Sequence, residues 1–243
     1  MTTMVSDQQS DSSAPAAIIL AAGKGTRMGS DLPKVLHEVC GRPMVHWVVD
    51  AVRAAGVERI VIVVGHQAEA VRRSFGAEAS DLDFVIQEPQ LGTGHAVLVC
   101  RDTLAAFTGD AFVLAGDGPL IRAETLRTLH DHHRTTDALA TLATAILDDP
   151  TGYGRIVRDD RDRFREIVED RNASPAQRSI REIYPSYACF RIPELMEGLA
   201  DLEADATSGE FYLTAIPGTF QTTVDRVEIV TAVPPEDVLS INT

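Results

Sequence analysis

The chain has 243 residues, 44% of them hydrophobic and 24% charged, with a formal net charge of −14. That length and apolar content suffice for a large α/β core, while the acidic balance excludes the broad basic face that sequence-independent nucleic-acid binding needs. Three widely spaced cysteines, Cys40, Cys100 and Cys189, offer neither a disulfide framework nor zinc-ligand spacing.

In chain order, residues 1–15 are polar and lack a charged-then-apolar leader, and no apolar run approaches the ~18 residues of a membrane span. They are expected to be a disordered tail on one domain, residues 16–243, of a cytoplasmic protein. The apolar run Ala16 to Ala22 predicts a buried strand, which breaks directly into Gly23, Lys24, Gly25, Thr26 and Arg27. Glycines let successive backbone N–H groups turn toward an anion, and the two cations add charge, so the expected guest is a phosphate. Neither the P-loop spacing nor G-x-G-x-x-G is present.

Apolar residues at helical spacing from Met44 to Ala55 predict a helix stopped by Gly56. Arg59 to Val64 reads as a second buried strand, Ala68 to Phe75 as a short helix and Asp83 to Ile86 as a third strand. The polar loop Gln87 to His95 then precedes a helix expected over Ala96 to Leu104. Ligands of open α/β sheets gather at the carboxyl ends of strands, so this loop is placed for binding. Gln87 can offer an acceptor and a donor to a base edge, and Thr93 with the amides beside Gly92 can hold that base. His95 reads as a helix-start or packing histidine.

A fourth strand, Ala111 to Ala115, leads into Gly116 and Asp117, which reads either as a turn former or as a Mg²⁺ ligand. A helix over Ala123 to His133, a long strand over Ala138 to Ile146, a hairpin of Arg155 to Arg158 with Phe164 to Glu169, a helix over Ile192 to Leu202 and a strand over Glu228 to Ala232 complete the pattern. Strands alternating with helices predict an α/β, Rossmann-like fold: a mixed, mostly parallel sheet, helices on both faces and a small β subregion.

Several segments carry a family resemblance. Leu20 to Lys34, LAAGKGTRMGSDLPK, resembles the signature of the sugar-1-phosphate nucleotidylyltransferases. QEPQLGTGHA from Gln87, GDGP from Gly116, DDPTGYGRI from Asp148 and DVLSIN from Asp237 are similar to further segments of the family's uridylyltransferases. The resemblance implies the nucleotide-diphospho-sugar transferase fold. It also implies formation of UDP-N-acetylglucosamine and pyrophosphate from UTP and N-acetylglucosamine-1-phosphate, with Mg²⁺ and without nucleic-acid or membrane partners. Arg27, Lys34 and Asp117 would be catalytic. Leu20, Ala21, Ala22, Gly23, Lys24, Gly25, Thr26, Gln87, Gly92 and Thr93 would bind the nucleotide. Gly116, Gly154, Glu169 and Tyr184 would line the sugar side, and Asp117 with Asn242 would hold the metal.

The pattern departs at Tyr184, where the family carries an Asn that contacts the sugar; a phenol cannot reproduce an amide's paired donor and acceptor. That leaves open another sugar-1-phosphate or a catalytically weak UDP-sugar-binding module; CTP or GTP with a non-sugar phosphate is a further alternative, against which Gln87 to Gly94 favours uridine. Ala215 stands where Asp is expected and Pro217 follows, so the helix there is expected to be short. No hexapeptide repeat of the kind that builds the acyltransferase half of bifunctional members occurs, and the resemblance, over residues 16 to 242, implies uridylyl transfer alone.

Overall fold

The computed structural model describes residues 14–23, 25 and 29–238. The chain enters through β1 (Ala16–Ala21), passes a small hairpin of β2 (Glu38–Val39) and β3 (Arg42–Pro43), and continues through α1 (Met44–Ala54), β4 (Arg59–Val64), α2 (Ala68–Ser74) and β5 (Leu82–Ile86). Next come α3 (Thr93–Leu98), β6 (Asp110–Ala115), α4 (Ala123–Thr135), β7 (Ala140–Ala143), β8 (Ala145–Ile146), β9 (Gly154–Arg158) and β10 (Phe164–Val168). The last elements are α5 (Pro175–Arg178), β11 (Glu182–Tyr184), β12 (Tyr187–Arg191), α6 (Ile192–Ala200), α7 (Ala215–Val224) and β13 (Val227–Val230).

A seven-stranded sheet runs in the order β13-β7-β12-β6-β1-β4-β5, with β12 antiparallel to both its neighbours and every other pairing parallel. An antiparallel sheet in the order β10-β9-β11-β8 stands beside it. This is the expected mixed, mostly parallel sheet with a smaller β region. The two-residue period of a strand explains why the central strands are apolar throughout. Ala17 and Ile19 of β1 join the core under α1 and α4, while Ala16 and Ile18 join the opposite core under α3, α6 and α7.

Three expected elements differ. The strand foreseen over Ala138 to Ile146 is divided at Thr144: β7 belongs to the large sheet and β8 to the small one. Thr144 is fully buried, takes backbone bonds from Val233 and to Val230, and donates its hydroxyl to Glu182 Oε1 at 2.8 Å. Those bonds hold the chain where it changes sheets. The helix foreseen over Ala96 to Leu104 instead begins at Thr93 and ends at Leu98, because Gly94 N–H is drawn to Phe211 O at 2.7 Å. A Cβ on Gly94 would lie 2.6 Å from Leu202 Cδ2, so that first turn packs hard against the chain beyond α6. The helix carrying Pro217 runs ten residues, with Pro217 in its first turn, where its missing N–H costs no helical bond.

Asp110, at the start of β6, lies between two histidines of α4: His130 Nε2 is 3.2 Å from Oδ2 and His133 Nε2 is 3.4 Å from Oδ1. Burial pushes the carboxyl upward, but the two imidazoles outweigh it and hold Asp110 well below the ordinary carboxylate range. A depressed folded value contributes stability above the unfolded pKa of about 3.9, lost as pH falls toward the folded value. Urea unfolding at pH 7 and pH 3 should therefore show a larger loss for the wild type than for Asp110→Asn; equal losses would remove Asp110 from the acid dependence.

Candidate active site

The site is built where β1 and β6 end side by side, with Leu20 in register with Ala115. Gly116 N–H donates to Leu20 O at 2.9 Å, and a Cβ on Gly116 would stand only 2.9 Å from that same oxygen. A glycine is thus what lets the two strand ends close, bringing Gly23 and Asp117 to one cleft. Lys34 opens a 3-10 turn, Lys34–Leu36, pinned by the buried Val35 and Leu36. Its ammonium contacts Asp117 Oδ2, both side chains being about four-fifths covered. Gly25, at φ +62°, lies so near Lys34 that a Cβ there would stand 2.9 Å from Lys34 Cβ. Gly25 therefore packs directly against the lysine.

One cavity of about 380 Å³ opens on this pair, with Leu20, Ala22, Gly23, Gln87, Gly92 and Thr93 in its wall. Gln87 is buried, and its Nε2 donates to Gly92 O at 2.9 Å and lies 3.1 Å from His95 Nδ1. Gly92 O can only accept, which fixes the amide's orientation, with nitrogen toward the loop. His95, in the first turn of α3, thus serves the loop as a packing partner. The same loop is laced to the segment before α7: Phe211 N–H bonds to Leu91 O at 2.8 Å, and Leu213 N–H to Thr93 Oγ1 at 3.0 Å.

A second cavity, of about 250 Å³, holds Glu169, Arg171, Tyr184, Tyr212 and Thr214. Glu169 Oε1 accepts from Thr214 Oγ1 at 2.8 Å, and the Arg171 guanidinium lies 5.3 Å from the centre of the Tyr212 ring. Tyr184 is 6% exposed, its ring in the core with Ile156 and Ile167. Burial, reinforced by the Glu169 charge, pushes its phenol up, so it stays a neutral hydroxyl. A third cavity, of about 310 Å³, is bounded by Lys34, Asp117, Thr151, Tyr153, Tyr187 and Val238. Burial, with the Asp117 charge, likewise raises the Tyr187 phenol.

Of the residues singled out in the sequence, Leu20, Ala22, Gly23, Lys34, Gln87, Gly92, Thr93 and Asp117 line the first cavity and Glu169 and Tyr184 the second. Ala21 turns into the core, and Gly116 and Gly154 act as spacers; a Cβ on Gly154 would lie 2.8 Å from Ile167 Cγ2. Lys24, Thr26, Arg27 and Asn242 lie outside the described residues. Sequence reading passed over Ser186, which lines all three cavities at φ +67°. It also passed over Arg171 and Glu210, the latter shared by the first two cavities. A Pro-Ser pair between two short strands was the one local sign of the turn at Ser186.

Among the described residues no helix is long and apolar enough to cross a membrane. Residues 17–185 match the family model of the MobA-like NTP transferase domain. The chain is 50% identical over 201 residues to the bifunctional protein GlmU of Pelotomaculum thermopropionicum, covering 83% of this chain and 43% of that one. It is 45% identical over 226 residues to GlmU of Brevibacillus brevis, covering 93% and 48%. It therefore spans less than half the length of these curated relatives. In fold it is similar to a UDP-glucose pyrophosphorylase solved with UDP-glucose (TM-score 0.71, 16% identity, 86% of this chain and 87% of that one). A putative glucose-1-phosphate thymidylyltransferase from Bacillus anthracis is similar too (TM-score 0.75, 19% identity, 89% and 86%). The chain is a nucleotidyltransferase and belongs to the MobA-like NTP transferase domain family.

Proposed function

We propose that residues 16–243 act as one domain that transfers uridylyl from UTP to N-acetylglucosamine-1-phosphate in the cytoplasm, giving UDP-N-acetylglucosamine and pyrophosphate. The observation that carries this reading is the Lys34–Asp117 contact on the boundary of two cavities, one of them walled by the Gln87 loop, with Ser186 joining both to the cavity of Glu169 and Tyr184.

A sugar-1-phosphate oxygen is already an anionic nucleophile, so in-line displacement at the α-phosphorus needs alignment and neutralisation of charge rather than a covalent intermediate. Lys34 would sit against the α-phosphate, and Arg27 with the backbone amides from Gly23 to Thr26 would hold the β and γ phosphates. With its Nε2 engaged inside its own loop, Gln87 has Oε1 left for a ligand. That acceptor matches the N3–H of uracil and repels the N3 lone pair of cytosine. Glu169 would accept from sugar hydroxyls, and the backbone at Gly154 would meet the acyl group.

Nucleotidyltransferases of this kind generally use a divalent metal. No group of three His, Cys, Asp or Glu suited to an all-protein metal cage occurs among the described residues. A single carboxylate in a phosphate-sized cleft fits Mg²⁺, which takes one or two protein oxygens and completes its shell with phosphates and water. Asp117 with Asn242 would hold it, and its charge would lower the repulsion between nucleotide and sugar phosphates.

The buried Tyr184 phenol favours a second reading, in which the acceptor is a sugar-1-phosphate other than N-acetylglucosamine-1-phosphate. Pyrophosphate release should be measured with UTP, CTP, GTP and dTTP against N-acetylglucosamine-1-phosphate and glucose-1-phosphate. The highest kcat/KM is expected for UTP with N-acetylglucosamine-1-phosphate; a faster reaction with glucose-1-phosphate would favour the second reading. UDP-sugar binding by calorimetry without turnover would contradict both and leave a binding module.

A further inference from the structure

Arg155 is the largest fully buried side chain among the described residues, and none of the proposed steps uses it. It lies in β9 directly after Gly154, opposite Val168 of β10 and Ile183 of β11. Its Nη2 donates to Asp170 Oδ1 at 3.0 Å, its Nη1 to Tyr153 O, and its Nε is buried with no hydrogen-bond partner. Leaving a buried guanidinium N–H unmatched costs stability, so nothing in the packing alone accounts for a cation at this position.

The two groups that it does reach belong to different walls of the cleft. Asp170 opens the 3-10 turn Asp170–Asn172, and its neighbours on either side, Glu169 and Arg171, both line the Tyr184 cavity. Tyr153 bounds the cavity beside Lys34 and Asp117. One planar fork thus ties the Glu169–Arg171 turn to the Thr151–Tyr153 loop, a geometry that guanidinium supplies and a single ammonium does not. Glu169 on Thr214 and Arg171 over Tyr212 are then held on both sides of the anchored Asp170.

We propose that Arg155 is a positioning residue for the sugar phosphate, acting through Asp170 to set Glu169 and Arg171; this rests on the nucleotidylyl-transfer reading above. It makes no contact with the base cavity, so its effect falls on one substrate and not the other.

Because removing a buried guanidinium threatens the fold itself, Asp170, with 32% of its side chain exposed, carries the test. Steady-state kinetics of Asp170→Ala, with its melting transition retained, should show the KM for sugar-1-phosphate raised about tenfold or more, and the KM for UTP and kcat within about threefold of wild type. Asp170→Asn keeps an acceptor oxygen and should recover part of the loss. An unchanged sugar-phosphate KM in folded Asp170→Ala, or equal rises for both substrates, would overturn the inference alone. A wild type inert toward every sugar-1-phosphate would overturn the functional reading and the inference with it.

Discussion

Asp117→Ala is expected to lower kcat more than about a hundredfold, the scale seen when a group that stabilises developing charge is removed. The carboxylate stands at the end of β6, beside Lys34, on the boundary of two cavities. Its loss would take away the proposed cation site and the carboxylate that contacts the Lys34 ammonium. The fold should survive: Lys34 and Asp117 form a partly exposed pair, and such pairs contribute roughly 0–1 kcal/mol, or about 3 °C at most in a chain of this size. Pyrophosphate release with thermal melting on the same sample checks both parts. Near-normal turnover would remove Asp117 from the chemistry, and a collapse of the melting transition would make its role structural.

Gly92→Ala is expected to raise the KM for UTP about tenfold or more and to lower the melting temperature by on the order of 10 °C. Two penalties coincide at this position. Gly92 holds φ +102° with ψ 178°, a region that is essentially glycine-only and strains an L side chain by about 1–3 kcal/mol. The added Cβ would also stand 2.7 Å from Phe211 O and 2.9 Å from Phe211 N. Those are backbone atoms already bonded to Gly94 and Leu91, so no side chain can swing away, and overpacking of this kind costs about 1–3 kcal/mol more. Together the terms reach a few kcal/mol, enough for a shift of that size. The nucleotide side suffers because Gly92 O fixes the Gln87 amide. Gly209→Ala is the control: φ is +72° there, but nothing lies within 4 Å of the added carbon. If Gly92→Ala is no less stable than Gly209→Ala and binds UTP normally, the loop does not hold the base.

Much of this arrangement was legible in the sequence because it is local. Runs such as Ala16 to Ala21 and Arg59 to Val64 carry no polar residue at positions buried on both sheet faces, and glycines follow their ends within two residues, Gly23 and Gly65. Gln87 and Asp117 were legible because each follows a strand that ends at the ligand edge, whereas Lys34 was singled out by the family resemblance of Leu20 to Lys34. What could not be read is set by contacts across long stretches of chain. The start of α3 is fixed by Phe211, more than a hundred residues away, and the change of sheet at Thr144 by Glu182. Gln87 looked able to offer both donor and acceptor, yet its nitrogen faces Gly92 and His95, a choice visible only once the loop has closed. Ser186 has no distinguishing chemistry in the sequence; its importance comes from where β11 hands over to β12. Tyr184 was flagged as a departure, and its burial explains how the chain tolerates it: the residue is absorbed by the core while still bordering the second cavity.

The convergence of Lys34 and Asp117 on one metal-bound triphosphate is tested most directly by pyrophosphate release from UTP and N-acetylglucosamine-1-phosphate, measured with Mg²⁺ and after chelation. Release that requires the cation, and that collapses in Asp117→Ala, is the predicted result. Release undiminished by chelation, or none from UTP with any sugar-1-phosphate, would contradict it.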